Sequence, residues 1–357
     1  MISHAQIRQI AQAGLLAPSG DNCQPWRLTW DGQRLDFHFV QNLAESLYDV
    51  ANLASLVSLG AMLVNMRLEA RRLGYAPQLT LLPGSPDNPK VASVQFIPAA
   101  PETSPLLQVL EVRCANRRPY GTRRLAPEVR EELAELSHGT PGVSMRLIED
   151  RVALNGLAAM ASLNERILFE HRAFRTGLFR WLRWSEEEAR RTGDGMPVRA
   201  LELFPFERPG FRLFGSSWGA ALLQTLGITR ALPFRTRLTY QCSSAFLFFS
   251  IDELNPDLCV KAGEMLQRTW LSATARGLAC QPVSGMLLLL LRYRLDRGEG
   301  FSRAHRAVLA KAAARIDYLL PRFHSRIPIM LLRIGHATAP SARTLRRPVD
   351  QQLTFLA

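Results

Sequence analysis

Two long apolar helices that match each other in sequence constrain this chain more than any other feature. Residues 53–64 (LASLVSLGAMLV) lie in a helix read over 52–73 and are apolar on nearly all sides, so the helix must be buried on several faces. A second helix is read over 256–276. Asn255 is its N-cap, Pro256 its first residue, and Gly277 closes it. Leu258, Ala262, Met265, Leu266, Thr269, Trp270 and Ala273 then fall on one face at helical period. Laid without gaps, 58–75 matches 261–278 at Gly60/Gly263, Met62/Met265, Leu63/Leu266, Leu68/Leu271, Ala70/Ala273 and Gly74/Gly277. Chance gives about one or two such identities, so a degenerate internal duplication is expected. Convergence of two buried helices on Leu and Ala is the competing explanation, and the shared glycines argue against it. A duplicated module implies a pseudo-dimer within one chain, its core helices packed about a pseudo-twofold axis.

The remaining pattern is helix (5–16), strands (27–30, 35–40), the helix at 52–73, then strands (78–82, 91–97) and a linker (98–105). After it come a helix (127–136), a strand (144–148), a helix (152–172) and a weakly periodic stretch at 175–209. A helix (218–226), a strand (245–251), the helix at 256–276, another helix (302–319) and a strand (329–334) complete it. Mixed strands and long helices point to an α/β or α+β layered fold. The division expected is a first module over 1–105 and a second over 106–357.

At 357 residues the chain can bury a substantial core. Its strongest apolar run, 286–291, is far too short to span a bilayer. The start MISHAQIRQIAQ has no secretory pattern. The five cysteines lack metal-ligand spacing, which suggests free thiols in a reducing compartment. The histidines, among them His38, His138, His171, His305, His324 and His336, have no readable partner, so no metal site is expected. A cytoplasmic protein with no membrane and no nucleic-acid partner is the expectation. The net charge of +13 comes almost wholly from arginine, with lysine at three positions. Arginine grips phosphate bidentately, which suits phosphorylated small molecules.

Four segments carry the chemistry. In 17–26 (APSGDNCQPW), Pro18 and Gly20 end a helix, Ser19, Asp21, Asn22 and Gln24 present hydrogen-bonding side chains, and Pro25 stiffens the exit. In 113–120 (RCANRRPY), Arg113 and Arg117 stand four apart and can share one phosphate. In 277–285 (GLACQPVSG), a glycine-bounded loop lets backbone approach a ligand closely. From Arg333 a basic tail follows, with Arg343, Arg346 and Arg347. There is no G-x-S-x-G elbow, Walker A loop or G-x-G-x-x-G fingerprint.

Together these segments resemble the nitroreductase family of flavoproteins. The first resembles its APSxxNxQPW turn, the second its RRSxRxF signature, and the third its GLGxxPxGG loop. The second is closer still to the RRTNRRPF form of the subgroup with two modules in one chain. The resemblance implies an α+β nitroreductase-like fold: a mixed, mainly antiparallel sheet flanked by helices, in two degenerate modules forming a pseudo-dimer. It implies one FMN between the modules, contacted by Pro18, Ser19, Asn22, Gln24, Arg113, Arg117, Pro282, Val283, Ser284, Gly285 and Arg343. Arg346 and Arg347 are alternatives to Arg343. Cys114, Ala115 and Ser284 depart from the family pattern. The family's lysine beside the flavin ring has no evident counterpart, which leaves Arg117 to supply positive charge.

The activity implied is an FMN-dependent oxidoreductase passing hydride through flavin N5 between NAD(P)H and a small-molecule acceptor, or dehydrogenating a biosynthetic intermediate. No catalytic side chain is nominated. The alternative implied is a non-catalytic FMN storage protein, closed by a lid at 175–209 in which Trp181, Trp184 and Phe204 cover the ring and Asp194–Gly195 forms a hinge or turn. A monomer acting as pseudo-dimer, or a homodimer, is expected.

Overall fold

A computed structural model describes residues 2–44, 47–82, 89–321 and 325–356. His324 therefore lies outside the described residues. The two long helices run over Leu53–Arg72 and Pro256–Ala275 and pack against each other in the larger hydrophobic core. Their contact is reciprocal. A Cβ added at Gly60 would run into the backbone of Val260, and one added at Gly263 into the backbone of Val57. Both glycines and both valines are separated by the 203-residue offset of the sequence match. Contact of i with j′ and of j with i′ is what a twofold axis generates. Among the described residues, one helix (Val50–Arg72) is long and apolar enough to cross a membrane, and 78% of its apolar window is buried inside the fold.

Strands numbered in chain order repeat this symmetry. They are β1 (Trp26–Trp30), β2 (Arg34–Phe39), β3 (Tyr75–Leu81), β4 (Lys90–Pro98), β5 (Val143–Ile148), β6 (Leu182–Arg183), β7 (Met196–Pro197), β8 (Ala245–Ile251), β9 (Ala279–Val283), β10 (Ile327–Gly335) and β11 (Leu353–Phe355). One sheet has the order β11-β1-β2-β4-β3 and the other β5-β8-β10-β9. Without β11, both read first-second-fourth-third, antiparallel throughout, with the long helix joining second strand to third. The architecture is α+β, in two sheets plus the short parallel β6–β7 pair.

β11 lies within 106–357 yet pairs in parallel with β1, Leu28 opposite Leu353. The far end of the chain thus completes the sheet built by residues 26–98.

Between β5 and β8 the second half carries a helical insertion around its own core. The helix read over 152–172 is three helices: Arg151–Ser162, Asn164–Glu170 and Arg172–Arg180. Two of the helices that escape the sequence pattern do so for readable reasons. Ile228–Gln241 contains Pro233, which argues against a helix locally, and Gly285–Leu295 is too uniformly apolar to show a period.

Candidate functional site

A cavity of about 490 Å³ opens between the two halves, within the range of small-molecule and cofactor sites. Nine of the eleven residues implied by the resemblance line it: Pro18, Ser19, Asn22, Arg113, Arg117, Pro282, Val283, Ser284 and Gly285. Gln24 and Arg343 do not.

The turn after helix His4–Leu15 is held in an unusual backbone shape, with positive φ at Asp21, Asn22 and Gln24. Asp and Asn tolerate that region, whereas Gln rarely enters it. Its side chain shows why. Gln24 Nε2 donates to the Gly193 carbonyl at 2.9 Å, and its Oε1 accepts from Arg347 N and Gln352 Nε2. Gln24 is fully buried behind the cavity and fastens the turn to two distant segments. Asn22 is similarly occupied: Nδ2 donates to the Gly195 and Leu345 carbonyls, and Oδ1 accepts from Arg346. Ser19 Oγ accepts from Gln24 N.

Arg113 is buried and lies 4.4 Å over the Trp270 ring, with one Nη2–H donated to the Leu16 carbonyl. Arg346 donates to the same carbonyl. The two guanidiniums therefore converge on the end of helix His4–Leu15. Neither has an ion pair among the described residues, and the Nε of each is buried without a hydrogen-bond partner. Burial pushes the Arg113 pKa down to about 10, and burial with Arg113 close by pushes Arg346 down to about 9. Both stay charged at neutral pH. Two adjacent cations, Arg113 buried and Arg346 half-buried, each with a buried unpartnered Nε, make a seat for a dianion such as a phosphate monoester. Arg343 is exposed and away from the cavity, so the tail contributes Arg346 instead. Three arginines within five residues left that choice open in the sequence.

Arg117 reaches across the cavity to the Ala200 carbonyl and the Met196 sulfur. Its pKa is lowered by burial, a push opposed by Asp21. Arg333, with no exposure, donates to Gln281 Oε1 and the Thr239 carbonyl and lies 3.9 Å over the Tyr120 ring. It thereby pins segment 113–120 against β9 and β10. Beyond β9, Ser284 precedes helix Gly285–Leu295 without a side-chain capping bond, so the helix's first N–H groups lack intrahelical partners. Gly285 is dictated by packing, because a Cβ there would collide with the Asn164 amide, which accepts the Tyr48 hydroxyl at 2.9 Å.

Segment 172–201 covers the cavity. Trp181, Met196 and Ala200 line it, while Asp194 is clasped between Arg183 and Arg347. Burial alone would raise the Asp194 pKa; the two arginines outweigh it and hold the carboxyl below its usual range. Gly193 and Gly195, both at positive φ, flank it and present their carbonyls to the turn. Trp184 and Phe204, expected over a flavin ring, are exposed instead. Trp184 packs near Phe179 and Phe211, and Phe204 stacks on Phe206.

Asp21 lines the cavity, and sequence reasoning did not place it among the site residues. Burial raises its pKa to about 6, against the pull of Arg117. An acid whose pKa rises on folding costs stability once it ionises. The cost is absent below about pH 4 and grows until the folded-state pKa is passed. The shift, discounted for solvent in the cavity, amounts to roughly 2 kcal/mol. Asp21→Asn is therefore expected to stabilise the flavin-free protein by roughly that amount at pH 8, with the gain vanishing towards pH 4. Urea unfolding at the two pH values measures it, and an equal effect at both would show that the carboxyl is already compensated.

No family model matches the chain. A curated relative, an uncharacterized protein of Mycobacterium tuberculosis, is 25% identical over 340 residues. The match covers 95% of this chain, and the chain spans about half (47%) of the relative's length. Solved structures similar to the chain include a nitroreductase with bound FMN from Desulfitobacterium hafniense, at 12% identity and TM-score 0.38, covering 72% of this chain and 100% of that one. An FMN-dependent nitroreductase from Mycobacterium smegmatis in complex with NADPH gives 15% identity and TM-score 0.37, covering 70% and 97%.

Proposed function

We propose that this protein is an FMN-dependent oxidoreductase of nitroreductase type, built as two degenerate modules in one chain, that passes reducing equivalents from NAD(P)H to a small-molecule acceptor. The modules proposed are 1–105 and 106–357, with β11 exchanged onto the first. The observation that carries the reading is a pair of guanidiniums at the edge of the cavity, Arg113 buried and Arg346 half-buried, neither answered by an ion pair among the described residues and each with a buried unpartnered Nε. Burying two like charges side by side is costly unless an anion answers them.

Arg113 and Arg346 would hold the FMN phosphate, and the turn at 18–22 would border the cofactor. Ser284 and Gly285 would offer backbone N–H donors. Arg117, with Met196 and Ala200 behind it, would supply positive charge to the ring. When bound, the flavin supplies hydride acceptance and donation, which no side chain in the cavity provides. The residues bind it, orient it and exclude water.

A second reading, flavin storage, draws on the Asp194 clasp and the bonds from Asn22 and Gln24 to Gly193 and Gly195, which fasten segment 172–201 over the cavity. One experiment separates the two. Protein loaded with FMN and freed of excess is titrated anaerobically with NADPH and with NADH. Loss of oxidised-flavin absorbance at near-stoichiometric nucleotide is the expected result. Retained flavin that does not bleach selects storage, and no retained flavin removes both readings.

A further inference from the structure

Two neighbouring helices carry exposed chemistry that the cavity does not use. Ser217–Thr225 and Ile228–Gln241 pack on each other and on Asn164–Glu170. Gly219, Ala220 and Thr229 are buried. Trp218, Leu222, Leu226, Phe234 and Leu238 are left 68%, 45%, 65%, 66% and 48% exposed. Phe206, 79% exposed, adjoins them: it stacks on Phe204, over which Arg235 of the second helix lies at 5.5 Å. Large apolar side chains grouped this way on a surface mark an interaction site.

Cations predominate around them, and Glu207, beside Phe206, is bridged to Arg235. Residues 208–251 contain five arginines and no aspartate or glutamate. Arg208, Arg212, Arg230 and Arg237 are exposed. Arg230, Phe234, Arg237 and Leu238 follow the i, i+4, i+7, i+8 spacing of one helical face. Aromatic and aliphatic side chains among arginines in excess, with the Glu207 carboxylate already taken by Arg235, are what a helix lying in a membrane interface presents.

We propose that this face docks the protein on an anionic lipid bilayer, its Trp, Phe and Leu side chains entering the interface and its arginines meeting lipid phosphates. A second copy of the chain fits less well, because a twofold self-contact would set arginine against arginine while the Glu207 carboxylate is already taken by Arg235. Duplex nucleic acid fits less well too, since Leu222, Leu226 and Leu238 gain nothing from a phosphate backbone. Tyr240, on the second helix, lines the cavity, so docking sets the cavity beside the bilayer. The proposal departs from the expectation of no membrane partner. That expectation rested on the lack of a spanning stretch, which a surface-lying helix does not need.

Co-sedimentation with phosphatidylcholine vesicles, with and without phosphatidylglycerol, tests this. Binding is expected to the anionic vesicles, roughly tenfold weaker to the neutral ones, and lost in high salt. Tryptophan emission is expected to shift to the blue on binding, and Trp218→Phe to remove that shift. Phe234→Ser with Leu238→Ser alters exposed positions, so circular dichroism is expected to stay unchanged while anionic-vesicle binding falls at least roughly tenfold. The proposal is overturned by absence of binding to anionic vesicles, or by binding that this double variant leaves intact. It is equally overturned by a dimer in light scattering that the double variant splits, with no vesicle binding, or by duplex DNA outcompeting the vesicles.

Discussion

Gly263→Ala is expected to destabilise the flavin-free protein by at least about 3 kcal/mol, and Gly60→Ala by a similar amount. At each glycine the Cβ would enter the backbone of the opposing helix, at Val57 or Val260. A backbone carbonyl cannot rotate away as a side chain can, so the helices must move apart, and every contact between Leu53–Arg72 and Pro256–Ala275 loosens with them. Cores are close-packed, and even a small separation forfeits much dispersion energy. The double variant is expected to cost less than the sum, because a separation that admits one methyl also admits the other. Gly177→Ala is the control: it lies in helix Arg172–Arg180, with nothing within reach of a Cβ, and is expected to be neutral or slightly stabilising. Urea unfolding of the four proteins decides the matter. A Gly263→Ala protein as stable as the control would mean that the helices do not cross at these glycines.

Arg113→Met and Arg346→Met are expected each to weaken FMN binding at least roughly 100-fold, about 3 kcal/mol, since each removes a buried charge from a phosphate. Arg113→Met is also expected to raise the melting temperature of the flavin-free protein, because a buried cation without an ion pair is replaced by an apolar chain of similar length. Opposite signs on binding and stability are diagnostic, as a merely structural arginine would lower both. Riboflavin sharpens the measurement. Wild-type protein is expected to prefer FMN strongly over riboflavin, and each variant to lose most of that preference. Calorimetric titration with both flavins reads it, and an unchanged preference would move the phosphate away from these arginines.

Features set by local chemistry could be read from the sequence. Asn255, Pro256 and Gly277 bounded a helix to within a residue, since capping depends on neighbours in the chain. Gly60 and Gly263 stood out as glycines shared by the two matching helices, and the structure puts the helix crossing at them, where two backbones touch. Segments 18–22, 113–117 and 282–285 stood out only through the resemblance, and the structure brings them to the lining of one cavity.

Long-range features were illegible. Gln24 reads as a polar turn residue, and its burial follows from bonds to Gly193, Arg347 and Gln352, which no local pattern announces. Arg346 could not be told from Arg343, since both lie in an irregular tail with no period to orient them. Trp184 and Phe204, placed over the ring only through the lid that the resemblance implies, lie in surface clusters, and nothing local to either residue announces that. Pro233 concealed a helix because local propensity yields to tertiary packing.

The pairing of β11 with β1, and of Asn22 with Arg346 across 324 residues, bears on the order of events during synthesis. A growing chain emits the turn at 17–26 early. It then carries that turn, unfastened, until Arg346, Arg347, Gln352 and β11 have left the ribosome. The bonds of Asn22 to Arg346 and of β1 to β11 thus form only after more than 300 intervening residues have been made. A product released short of residue 346 would keep both long helices and most of both sheets, yet hold only Arg113 of the two guanidiniums that converge on the Leu16 carbonyl.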